Sequence, residues 1–126
     1  MIERKPIIVF GDGQQLRDFN YVEDCVKALL LAGTKDDANG EVYNLGSTEI
    51  ICLKDVAELM INLELDGNYE LVPFPLKRKS IHIGDSYSDF SLITNDLGWL
   101  PTIKLKNGLK QTLDYYVTNQ SHYWSE

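Results

Sequence analysis

The chain has 126 residues and a formal net charge of −7, with 44% hydrophobic and 25% charged side chains. That length makes one domain at most and suffices to bury a working core. The acidic balance argues against a nucleic-acid surface, which needs a basic face, and the longest apolar stretch, Val26 to Ala32, is broken by Lys27, so nothing reads as a membrane span. Cys25 and Cys52 lie in apolar surroundings without metal-ligand spacing, and Met1 to Lys5 carries no signal-peptide core. The expectation is a cytoplasmic protein with two reduced thiols and no metal.

Ile7 to Phe10 is a short apolar run ending in Gly11-Asp12-Gly13, which reads as a strand entering a tight turn. The turn leads to Arg17, whose planar fork suits phosphate or carboxylate and stays charged, so this stretch is a candidate anion site. Asn20 and Glu23 have the spacing of a capping box. The following helix is expected to turn Val22, Cys25, Val26, Leu29 and Leu30 inward and to stop at Gly33. Glu41 to Gly46 alternates in polarity and predicts a strand.

A second helix is expected from about Leu53 to Leu63, with Leu53, Val56, Ala57, Met60 and Ile61 forming its apolar stripe and Cys52 as a weak cap. Tyr69 to Phe74 predicts another strand, stopped by Pro73 and Pro75, and a basic patch, Lys77-Arg78-Lys79, follows. A third helix spans about Phe90 to Leu97, capped by Asp89 and closed by Gly98. The last runs from about Leu105 to Val117 with Leu105, Leu109, Leu113 and Tyr116 inward, and Lys104 and Lys106 oppose the dipole at its start. The tail from Asn119 is expected to fray. The reading is an α/β chain of about four helices and three or four short strands. So few and such short strands make an uncomfortable sheet alone.

Five stretches in this order resemble NAD-dependent epimerase/dehydratase proteins, the extended short-chain dehydrogenases that act on nucleotide sugars. They are Val9 to Asp24; Gly40-Glu41-Val42-Tyr43-Asn44-Leu45-Gly46; Gly84-Asp85-Ser86-Tyr87-Ser88-Asp89; Leu97-Gly98-Trp99-Leu100-Pro101; and Gly108-Leu109 with Thr112 and Tyr115-Tyr116. The family's N-terminal Rossmann domain carries a Gly-x-x-Gly-x-x-Gly turn and a Tyr-x-x-x-Lys pair. Neither is present in this sequence. The resemblance therefore implies that residues 1–126 form a single partial domain, the C-terminal, substrate-binding lobe without its Rossmann domain. The parent would use NAD, and none is expected to bind this chain alone.

Carried over residue by residue, the resemblance places Arg17, and Arg78 after a departure from the family's Arg-x-Gly-Asp spacing, on the diphosphate of a nucleotide sugar. Gln15 would lie near the same ligand, and Val9 and Phe10 at the nucleotide base. Core packing explains Phe10 almost as well, and a solvated basic loop is the plain alternative for Arg78. Tyr87 reads as packing and Asp89 as a helix cap. The implied function is the substrate grip of a nucleotide-sugar 4-epimerase taking a UDP- or dTDP-sugar. The alternatives are a dehydratase or decarboxylase lobe, or a non-catalytic binding fragment. Apolar surface normally covered by the missing domain is expected to drive homo-oligomerisation.

Overall fold

The computed structural model describes residues 5–63, 67–79 and 83–124, with the backbone alone at 78 and 79. Among them run strands β1 (Ile7–Phe10), β2 (Leu16–Asp18), β3 (Ile50–Cys52) and β4 (Tyr69–Val72). The helices are α1 (Val22–Thr34), α2 (Leu53–Ile61), α3 (Leu76–Lys79), α4 (Ser91–Leu97), α5 (Leu105–Thr118) and α6 (Gln120–Tyr123), with a 3-10 turn at Asp36–Ala38. The class is α/β, as expected. The chain divides into two compact units, one from Met1–Gln14, Cys52–His82 and Lys106–Glu126, the other from Gln15–Ile51 and Ile83–Leu105.

In the first unit the β-branched run Ile7-Ile8-Val9 forms β1, which pairs in parallel with β4, Ile7 opposite Tyr69 and Phe10 opposite Val72. Parallel partners need a crossover, and α2, packed against β1, supplies it. The turn after β1 requires its glycines. Gly11 and Gly13 have φ of 75° and 71°. A Cβ on Gly13 would also lie 2.9 Å from Lys54 Cβ and from Val9 Cγ1. The Gly13 carbonyl accepts the Lys54 amide at 2.9 Å, so the turn is tied to the first turn of α2. Ala57 is the buried centre of the α2 stripe, with Leu53, Val56, Met60 and Ile61 half-buried around it. Within the tail that was expected to fray, Gln120–Tyr123 form α6, whose Tyr123 packs edge-to-face on Tyr116 at 5.1 Å and meets the Tyr115 hydroxyl at 3.0 Å.

The second unit is built on Ala28, Ile93, Leu97 and Trp99, with Leu31, Ala32, Tyr43, Leu45 and Phe90 packed around them. Trp99 is 2% exposed, and Phe90 meets its ring edge-on at 5.9 Å. Helix α4 starts at Ser91 with Phe90, not Asp89, at its N-cap and no side-chain cap there. Asp89, one residue earlier, accepts the Ser91 amide at 2.9 Å, and Gly98 closes the helix as expected at φ 71° with its amide on the Thr94 carbonyl. These bonds from Ser91 hold the Asp89 carboxyl below its ordinary value. Lys35 adds its ammonium to the Leu97 carbonyl at 2.9 Å, a favourable charge for a helix C-terminus. The start of α5, expected to be weak, receives Glu49, whose carboxylate accepts the Leu105 amide at 2.8 Å.

Several expectations are corrected here. Helix α1 buries Asp24 and Ala28, with Leu31 and Ala32 half-buried, whereas Val22, Val26, Leu29 and Leu30 stand exposed, Leu29 at 71%. Hydrophobicity alone favours the other stripe, but a carboxylate, Asp24, decides which face turns in. Asn20 and Glu23 form no capping box: Tyr21 is the N-cap residue and makes no side-chain cap. Asn20 Nδ2 instead donates to the Gly46 carbonyl at 3.0 Å. Gly33 lies inside α1, which ends at Thr34. Residues 41–46 form no strand. Their alternation is real in burial, with Tyr43 and Leu45 toward the core and Val42 83% exposed, but they join no ladder among the described residues. Strand β3, which the sequence reading omitted, pairs with β2.

Asp24 explains the orientation of α1. Its side chain is fully buried and accepts the Thr102 amide (2.9 Å), the Thr102 hydroxyl (2.7 Å), the Ile103 amide (2.9 Å) and the Lys27 ammonium (3.3 Å). Burial alone would raise its pKa. The bonds from Thr102, Ile103 and Lys27 outweigh that, and the pKa lies below the ordinary 3.8. The stabilisation this implies is complete above that ordinary value and is lost as pH falls through it toward the folded-state pKa. Asp24→Ala should lower the unfolding free energy at pH 7 by about 3 kcal/mol in urea melts. The acid limb of the wild-type stability profile should be shallower in Asp24→Asn; equal limbs would refute the assignment.

Candidate functional site

The sequence-predicted residues fall in both units. In the first, Val9 is buried at 6% exposure, and the half-buried Phe10 stacks at a tilt on Phe74 with ring centroids 5.8 Å apart. Arg78 lies in the single turn α3, so the basic patch is helical rather than an open loop; its side chain lies outside the described structure. Two amides of the turn after β1 are engaged within the protein, Gly11 with the Val72 carbonyl at 2.8 Å and Gln14 with Asp12 Oδ1 at 3.0 Å.

In the second unit Gln15 and Arg17 flank Leu16, and Gln15 is buried. Strand β2 is gripped by loop residues. Asp85 Oδ1 accepts the Leu16 amide at 2.9 Å, the Leu16 carbonyl accepts the Ser86 amide at 3.0 Å, and Arg17 bridges in parallel to Ser86. Asp18 Oδ2 accepts the Ser47 and Ser88 amides, both at 3.1 Å. Gly46 is required by this junction. A Cβ there would lie 2.7 Å from the Ser88 carbonyl oxygen and 2.8 Å from Asp18 Oδ2 and from Phe90. Asn20 Oδ1 is buried and has no hydrogen-bond partner among the described residues.

Arg17 is half-buried, and its Nη1 donates to the Leu16 and Gly84 carbonyls, both at 2.6 Å. These are neutral acceptors. No carboxylate pairs with the guanidinium among the described residues, and the nearest acid in sequence, Asp18, spends its oxygen on backbone amides. A half-buried, oriented cation that no acid neutralises can receive an anion. Tyr87, expected to pack, stands 55% exposed on the same 84–88 segment. Among the described residues no group of three His, Cys, Asp or Glu is arranged to hold a metal. Sequence reasoning missed Asp85, Gly46 and the serine amides. The Gly84-Asp85 pair was a visible turn signal, but nothing local says that its carboxylate reaches a residue 69 positions away.

Comparison with known proteins agrees with the stretch that contains β2. The model of the NAD dependent epimerase/dehydratase family matches residues 1–46. A dTDP-glucose 4,6-dehydratase of Haemophilus influenzae is 35% identical over 127 residues, 93% of this chain and 37% of that protein. The crystal structure of UDP-glucose 4-epimerase from Thermotoga maritima with UDP-glucose superposes with a TM-score of 0.77 at 29% identity, over 95% of this chain and 37% of that one. The UDP-glucuronic acid 4-epimerase of Bacillus cereus, solved with NAD, does so at 0.77 and 28%, over 94% and 36%. The chain is related to the NAD-dependent epimerase/dehydratase family. It spans a little over a third of the length of these relatives.

The family's cofactor does not fit the glycine turn after β1. A dinucleotide turn needs glycine so that backbone can approach a pyrophosphate. At Gly13 the space a Cβ would take is filled by Lys54 and Val9, so the glycine serves packing. The junction at Gly46 carries its own expectation. Gly46→Ala forces a methyl against a backbone carbonyl and should cost about 2 kcal/mol or more of stability. Matching wild-type and variant thermal melts would refute the close approach of the 46–47 and 88–90 segments.

Proposed function

We propose that the chain is the C-terminal, substrate-gripping part of an NAD-dependent nucleotide-sugar 4-epimerase. Arg17 takes the diphosphate of a UDP- or dTDP-linked sugar, and Gln15 contributes polar contacts beside it. The observation that carries this reading is the Arg17 guanidinium, half-buried, aimed by two carbonyls and paired with no acid among the described residues. A diphosphate is the ligand feature that such a charge recognises best, since the outward edge of the fork meets two phosphate oxygens at once. Relatives support the ligand class: one is an epimerase solved with UDP-glucose and another acts on dTDP-glucose by its name.

The dehydratase reading is kept as second, because a dTDP-glucose 4,6-dehydratase is among the similar relatives. Both reactions use the same grip on the diphosphate. On this proposal these 126 residues hold the substrate, and oxidation of the sugar and return of the hydride are the work of a cofactor-binding domain outside them. The exposed α1 stripe of Val22, Val26, Leu29 and Leu30 supports a further part of the reading, self-association. Sedimentation should then show a dimer or larger species, and a monodisperse monomer would overturn it.

Titration calorimetry with UDP-glucose and dTDP-glucose tests the grip. Arg17→Ala should weaken the better ligand about tenfold or more, corresponding to about 1.4 kcal/mol. The monophosphates should bind more weakly than the sugar diphosphates. Arg78→Ala tests the second arginine that the resemblance implies. Absence of binding by the folded wild-type chain, or an unchanged affinity in Arg17→Ala, would remove the proposal.

A further inference from the structure

We infer that Asp85 is a positioning residue for Arg17, holding its guanidinium in the orientation that receives an anion. The inference rests on the reading of Arg17 as the diphosphate grip. Arg17 Nη1 has two acceptors: the Leu16 carbonyl next to it in sequence, and the Gly84 carbonyl, 67 residues away. The first is local and follows the strand wherever it goes. The second fixes direction, and it is only as fixed as Gly84 itself.

Gly84 lies in neither helix nor strand, and its neighbours Ile83 and Tyr87 are 70% and 55% exposed. Regular structure therefore does not hold it. Three hydrogen bonds fasten the 85–88 segment to β2: Leu16 amide to Asp85, Ser86 amide to the Leu16 carbonyl, and Ser88 amide to Asp18. Asp85 makes the one adjacent to Gly84. The Leu16 carbonyl accepts from both Ser86 and Arg17, so strand, loop and guanidinium share one junction. Asp18 also holds Ser47, so its loss would loosen a second segment. Asp85 is exposed and makes one hydrogen bond among the described residues, which makes it the selective test.

A plain charge effect predicts the opposite result. A carboxylate close to an anion site repels the anion, so removing it by either Ala or Asn would tighten binding. A positioning role depends on the acceptor oxygen, which Asn keeps and Ala lacks. Two readouts on the full chain separate these. The first is the Arg17 Nη1–H resonance in a 15N-labelled sample, assigned through Arg17→Lys and resolved because hydrogen bonding slows its rotation and exchange. It should be present in the wild type and Asp85→Asn and lost in Asp85→Ala. The second is the UDP-glucose dissociation constant, expected to rise about fivefold in Asp85→Ala and to stay within about twofold in Asp85→Asn. Persistence of the resonance in Asp85→Ala, its absence from the wild type, or tighter binding by both variants would overturn the positioning role. Unchanged binding in Arg17→Ala would instead remove the diphosphate reading, while the resonance still decides whether Asp85 holds Arg17.

Discussion

The carboxylate of Asp24 collects donors from two backbone amides, a hydroxyl and an ammonium while excluded from water. A charge in that position is tolerable only because each of these bonds is made; a buried carboxylate missing its partners would be strongly destabilising. The requirement propagates. To keep Asp24 among its donors, α1 must turn Asp24 and Ala28 inward, and the segment 99–103 must return alongside it. The Trp99 indole then donates to the Asp24 carbonyl at 2.9 Å, which places the largest buried ring of the unit over the same turn of helix. Ile93, Leu97 and Phe90 pack around that ring.

The same device recurs at lower burial around β2. Short strands have few ladder bonds to offer, and three residues of β2 cannot hold a loop by pairing alone. Carboxylates of Asp18 and Asp85 substitute for missing strands by accepting backbone amides from segments far away in sequence. The acids of this stretch are thereby committed to structure. Arg17 is left with neutral carbonyls as its partners. In a chain of net charge −7 that is an unusual position for an arginine, and it makes a local anion site compatible with an acidic protein.

Relatives sharing the segment are about three times longer than the stretch they share. The stripe on α1 is strong enough in sequence to be mistaken for a core face, and it lies on the surface. Val42, at the centre of a segment that alternates like a strand, is also exposed. Local pattern and tertiary placement disagree at these two places and agree along α2 and α4.

What the sequence determined by itself are the features whose causes are local. Strand β1 and its glycine turn, the α2 stripe with its poor Cys52 cap, and α4 with Asp89 before it and Gly98 after it all depend on neighbours a few residues apart. So does the choice of Arg17 as the anion-seeking residue, since only an arginine's chemistry was needed to see it. Tertiary structure decided which face of α1 is buried, because the deciding bonds run from Asp24 to residues 78 and 79 positions away. It decided against a ladder at 41–46 and for β3, because pairing needs a neighbouring strand that no local pattern announces. It also decided how Arg17 is aimed, since the carbonyl of Gly84 and the carboxylate of Asp85 reach β2 only after the intervening chain has folded back.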